Sequence, residues 1–375
     1  MPSLHIDHGR RSSRRLSLLR TLLMGLCLAA GLAQAQPPAP VGPPGRLYLP
    51  EVANNTIAVI DTATAKITER IPVSFPASRP AVMAATLDGS KIYVDNFGLV
   101  PATISVIDRK SGGVKTVPVE STPLGAFTSQ DGSEIYLPEV GFVVEVVSTK
   151  TDAVVRRLRF ADIPVSSISG PDGKLYVGFQ SGLLGVYDPL TGAEIKRPIW
   201  SGGLGPFWFS FTADGRKLYV DTVNQIGVID VANWMLTKTL STNSSGVYRP
   251  SDPGAFVSTL SPDGTKLYVT VFGDTGLRVL DLATDKITKI IPTTGSTTSV
   301  MFSADGTRGY ISDLGPSSAK FKGPLGEVVL FGNLVTLGLL GPGQVIVFDP
   351  KTDQTVGAPI PTQAGPGVPA WVPLL

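Results

Sequence analysis

Seven copies of one short apolar string centred on tyrosine punctuate the chain: Leu47-Tyr48-Leu49, Ile92-Tyr93-Val94, Ile135-Tyr136-Leu137, Leu175-Tyr176-Val177, Leu218-Tyr219-Val220, Leu267-Tyr268-Val269 and Gly309-Tyr310-Ile311. A strand-rich unit repeated every roughly 40 to 50 residues is the mark of a β-propeller, in which each blade buries its faces only against its neighbours. Seven copies predict an all-β protein of seven four-stranded blades. Propellers serve as enzymes, binders and scaffolds alike, so the repeat defines architecture and leaves activity open.

The unit is clearest over residues 256–291. Asp-Gly pairs at 88, 131, 172, 214, 263 and 305 separate apolar runs, and each predicts the hairpin between first and second strands, because glycine accepts positive φ. A second tight turn follows the Val-Ile-Asp type of string, as in Asp61-Thr62-Ala63-Thr64 and Asp281-Leu282-Ala283-Thr284. The aspartates of these turns are expected to cap their own backbone. Third strands such as Ile57-Ala58-Val59-Ile60 are apolar on both faces, as blades covered on both sides require, whereas charged fourth strands such as Val155-Arg156-Arg157-Leu158-Arg159 suit an outer edge.

Only one strand is missing from the count. The chain enters the array at Arg46 in a second strand, and residues 367–375 contain an orphan segment resembling a first strand. The ring is therefore predicted to close by the C-terminal strand joining the first blade. With its proline, apolar strand, Ser-Pro-Asp-Gly, Leu-Tyr-Val, Val-Ile-Asp and threonine turn, the repeat resembles the YVTN-type β-propeller family over nearly the whole of 46–375. That resemblance implies a seven-bladed exported bacterial propeller and carries little functional content. The asparagine usual after Tyr-Val stands here only at Asn96; Glu51, Glu139, Phe179, Thr222, Val271 and Asp313 replace it elsewhere.

Arg10, Arg11, Arg14, Arg15 and Arg20, an apolar stretch from Thr21 to Leu32 and the triplet Ala33-Gln34-Ala35 read as a cleavable signal peptide, residues 1–35. Sec export is expected, with the twin-arginine route as the alternative, and a periplasmic or secreted location follows. Residues 36–45 read as a proline-rich linker, and no transmembrane span remains after cleavage. Cys27, His5 and His8 all precede the cleavage site, so the mature chain has neither thiol nor imidazole. This removes Ser-His-Asp triads, thiol nucleophiles and the usual zinc or haem ligands. Loss of five arginines and Asp7 turns the formal charge of +2 into −2, which offers no footprint for nucleic acid.

Function is then expected on the loop-rich face, where connections vary. Two departures stand out: a loop at 241–252 with Tyr248 and Arg249, and an apolar insertion at 312–343 containing Val328-Val329-Leu330-Phe331. The insertion is expected to fold over its own propeller as a β-hairpin, the alternatives being a protruding surface for a partner or a gate over the channel. Glu51, Asp95, Asn96, Glu139, Asp221 and Asp313 follow the tyrosine strands and are candidates for an acidic calcium site at the channel mouth, with Asn224 nearby. No other cofactor is expected. Trp208, Phe207, Phe97, Arg79 and Arg249 are candidates for ligand contact. The leading reading is a monomeric, non-catalytic binding or scaffold propeller recognising a protein or cell-envelope component. The alternative is a divalent-cation-dependent lactone or ester hydrolase using Glu51, Glu139 and Asp221.

Overall fold

A computed structural model describes residues 41–375 apart from 74–78, 99–100, 224, 244, 246 and 248. The expected signal peptide, most of the expected linker, Asn224 and Tyr248 thus lie outside the described residues. Residues 41–45 lie against the propeller: the Val41 N–H donates to the Ala63 carbonyl at 2.9 Å, and the Thr62 hydroxyl donates to the Pro43 carbonyl.

Seven antiparallel sheets form a seven-bladed β-propeller. The fourth blade shows the pattern, with Pro164–Ser169 innermost, then Leu175–Phe179, Leu183–Tyr187 and Glu194–Trp200 at the rim. In the first blade the innermost strand comes from the far end of the sequence. Ala370–Val372 pairs with Arg46–Glu51, setting Arg46 opposite Val372 and Tyr48 opposite Ala370. The seventh blade divides its outer strand, Gln354–Thr355 and Ile360–Ala364 both pairing with Pro342–Asp349.

Each repeat tyrosine is buried, and each packs into the blade that follows. Tyr48 joins Ile92 and Val94 of the second blade, Tyr136 joins Leu175 and Val177 of the fourth, and Tyr310 joins Leu47 and Leu49 of the first. Because side chains alternate across a strand, the residues flanking each tyrosine face the preceding blade instead. The three-residue string therefore holds both neighbours at once.

The turns carry the predicted chemistry. Glycines of the Asp-Gly pairs adopt φ of 66 to 75°. Asp88 accepts from the Ser90 N–H at 2.9 Å, and Asp281 from the Thr284 N–H at 2.8 Å. In the third-to-fourth turns, one residue beyond the threonine position is left-handed in every blade: Ala65, Gly112, Asp152, Gly192, Trp234, Asp285 and Asp353. Where that residue is aspartate it reaches the preceding blade. Asp152 binds the Lys91 ammonium at 2.8 Å and accepts from the Tyr93 hydroxyl, and Asp353 does the same for Lys266 and Tyr268.

Two outcomes follow. Deleting 367–375 exposes the paired edge of Arg46–Glu51 and should lower the thermal midpoint by roughly 10 °C or more, far beyond an ordinary tail truncation. Tyr93→Phe, which removes one hydrogen bond to a charged acceptor, should cost about 1 to 3 kcal/mol in denaturant unfolding.

Candidate functional site

The inner segment of every blade contributes at least one residue to the wall of the central channel, among them Val368, Val82, Leu124, Val165, Trp208, Val257 and Thr298. These residues enclose a cavity of about 320 Å³. Phe97, Phe207 and Phe256 add aromatic surface, and Trp208 stacks obliquely on Phe127 at 5.3 Å between centroids.

The 312–343 insertion supplies the roof, and it is helical. The helix Gly323–Gly332 is followed by a wider π-helical turn, Asn333–Leu337. This corrects the expected β-hairpin, although the insertion does cover its own propeller. The start is written in Gly323-Pro324, with proline in the first turn, and the stop in Gly338, which takes φ of 66°. The β-branched run Val328-Val329 pointed towards strand, and packing of one helical face over the channel overrode that preference. Leu330, Leu334 and Val335 are buried with Val52, Phe272 and Leu314, while Phe331 meets the Phe97 ring edge-on at 5.9 Å.

Arg79 fastens this roof. Its guanidinium donates to the Thr336 carbonyl at 3.2 Å and to the Ala53 carbonyl at 3.0 Å, tying the insertion to the first blade. It is a clamp and not a cavity residue. Arg249 is exposed, its N–H donating to Asp252 at 2.8 Å, and it does not line the cavity. Phe97, Phe207 and Trp208 do line it.

The acidic candidates do not converge on one site. Counted from tyrosine, Asp95 and Asp221 stand two residues on, whereas Glu51, Glu139 and Asp313 stand three on, so strand alternation sends the two sets to opposite faces. The first set serves inner strands. Asp95 accepts from Ala81 N–H at 2.9 Å and Val82 N–H at 2.6 Å, at a bulge between Pro80 and Met83, and Asp221 accepts from Ser258 N–H. The second set fastens the chain leading into each inner strand. Glu51 accepts from Gln363 N–H at 2.8 Å, Glu139 from Ser121 N–H at 2.7 Å, and Asp313 from Thr294 and Gly295 N–H at 2.8 and 2.9 Å. Asn96 donates to Ser105 at 3.0 Å. Among the described residues no group of three or more His, Cys, Asp or Glu is placed to hold a metal ion. The candidate calcium set therefore does not fit as a single site.

Burial leaves several of these acids strongly perturbed. It pushes Asp95 and Asp221 up to about 7. Burial and the neighbouring Glu145 carboxylate push Glu139 well above the usual carboxylate range. The insertion adds an acid that the sequence reading passed over: Glu327, 6% exposed on the cavity wall and pushed by burial up to about 7. Its signal was available, because Glu327 is the sole charged residue between Gly323 and Leu340.

No family model matches the chain, and no curated protein matches it. Solved structures do. A protein from Lactobacillus plantarum aligns with a TM-score of 0.66 at 14% identity, over 88% of this chain and 100% of that one. A functionally unknown protein from Desulfotomaculum acetoxidans gives 0.63 at 17%, over 88% and 99%. The dihydro-heme d1 dehydrogenase NirN, in complex with DHE, gives 0.57 at 14%, over 90% and 78%. The likeness is one of fold.

The raised acids set a pH dependence. In the unfolded chain they ionise near 4, but in the fold they hold their protons to about 7, so stability falls as pH rises through that window. The melting midpoint should therefore be a few degrees lower at pH 8 than at pH 5.5. Asp221→Asn should melt above the parent at pH 8 and flatten the profile; a parent midpoint that is level across the window would contradict this account.

Proposed function

We propose that the chain is an exported, non-catalytic binding protein that holds a small, mostly apolar ligand in the roofed channel. The observation that carries this reading is the cavity of about 320 Å³, walled by all seven blades and roofed by the helical insertion. Its size is within the range of small-molecule sites, and its aromatic lining suits a flat or aliphatic body. The acids proposed for hydrolysis fasten backbone N–H groups on two different faces, so the hydrolase reading loses its shared cation.

A second reading rests on the outside of the roof. Leu325, Leu337 and Leu339 are 78, 64 and 69% exposed, an apolar surface suited to engaging a protein or envelope component. The two readings are compatible, since one uses the inner face of the insertion and the other its outer face.

The test of the first is titration with a neutral naphthalene alcohol, followed through Trp fluorescence. Val257→Trp fills the channel and should weaken binding by at least about tenfold, whereas the rim substitution Leu190→Ala should not change it. Equal affinity for the parent and the filled variant would place the ligand elsewhere.

A further inference from the structure

We propose that the roofed cavity selects a lipophilic amine: a small apolar or aromatic body carrying one ammonium group, which pairs with Glu327. This rests on the binding reading above and names its ligand chemistry.

The cavity wall is apolar except for a few groups, and the charged ones are both acids. Glu327 comes down from the roof and Asp95 from the second blade. Each is nine-tenths or more buried, and each has one carboxyl oxygen, Oε2 of Glu327 and Oδ2 of Asp95, without a hydrogen-bond partner among the described residues. Among the described residues no lysine or arginine lines the cavity. A buried carboxyl group with an idle oxygen is costly, and it is satisfied most fully by a charged donor that enters with its own counter-charge.

The placement of Glu327 argues against a residual surface acid. Its carboxyl lies flat against Gly254, where a Cβ would stand 2.3 Å from Oε1 and 2.4 Å from Oε2. Any side chain at 254 would displace the carboxyl from this position. On the same cavity wall, Phe331 and Phe256 lie 6.2 Å apart, and Phe256 meets Phe207 at 6.1 Å and Phe272 at 4.4 Å. Aromatic faces beside a carboxyl group suit an ammonium ion, which draws on both ring quadrupole and ion pair. Below about pH 7 the carboxyl of the free protein keeps its proton, which leaves to solvent as the ammonium takes its place; at pH 8 the carboxylate is already ionised and pairs with the ammonium directly.

The test compares two probes of one shape, 2-naphthylmethylamine and 2-naphthalenemethanol, on the protein at pH 8 by calorimetry. The amine should bind at least about tenfold more tightly. Glu327→Gln should bring the ratio of the two affinities close to one, with folding checked by thermal unfolding. Equal affinities in the parent protein would overturn the amine inference while leaving the cavity reading intact. Failure of both probes to bind would overturn the two together. The parent comparison needs no variant, so a poorly folding Glu327→Gln protein does not blunt it.

Discussion

The structure depends on what happens between blades. A single sheet of four strands has two apolar faces and no means of burying either alone. Each repeat tyrosine resolves this by packing forward into the next blade while its neighbours in the strand pack backward. In two junctions the tyrosine hydroxyl and a lysine from the same strand close on an aspartate in the following blade's outer turn. Greasy contact and a directional ion pair therefore act at the same seam. The ring is a series of such seams, and the channel is what remains at its axis.

Much of this could be read before any coordinates. Asp88-Gly89 and Asp281 to Thr284 act locally, through backbone geometry and nearest hydrogen bonds, and local chemistry is written in local sequence. Ring closure was legible because one strand was missing at Arg46 and one was spare at 367–375. The acidic mouth was misread for a different reason. Asp95 and Glu139 look equivalent along the chain, yet a shift of one residue in a strand reverses the direction of the side chain. Their partners, Val82 and Ser121, then differ in kind as well as in place. The insertion was misread because Val328 and Val329 favour strands intrinsically, while the demand for a roof over the channel is a tertiary one. Glu327 was invisible in function because only the fold reveals that the roof turns it inward.

Two kinds of buried acid thus coexist. Glu51, Asp313 and their like are structural fasteners that accept several donors each, and their burial is repaid by hydrogen bonds. Glu327 and Asp95 share the cavity wall and keep one oxygen idle. Idle oxygens also occur on Glu139 and Asp221, so what separates Glu327 and Asp95 is their place on the cavity wall.

The pairing of Arg46–Glu51 with Ala370–Val372 also governs timing. The first blade takes its outer strands from residues 46–72 and its innermost strand from 370–372, so its sheet is incomplete until these two distant segments meet. Until then it presents an open edge, and six completed junctions cannot yet share strain around a circle. Closing a loop of roughly three hundred residues is slow compared with forming any hairpin within a blade. The ring is in this sense a lock whose bolt is cast last, and the interval before it slides home is when the protein is most exposed to aggregation or proteolysis.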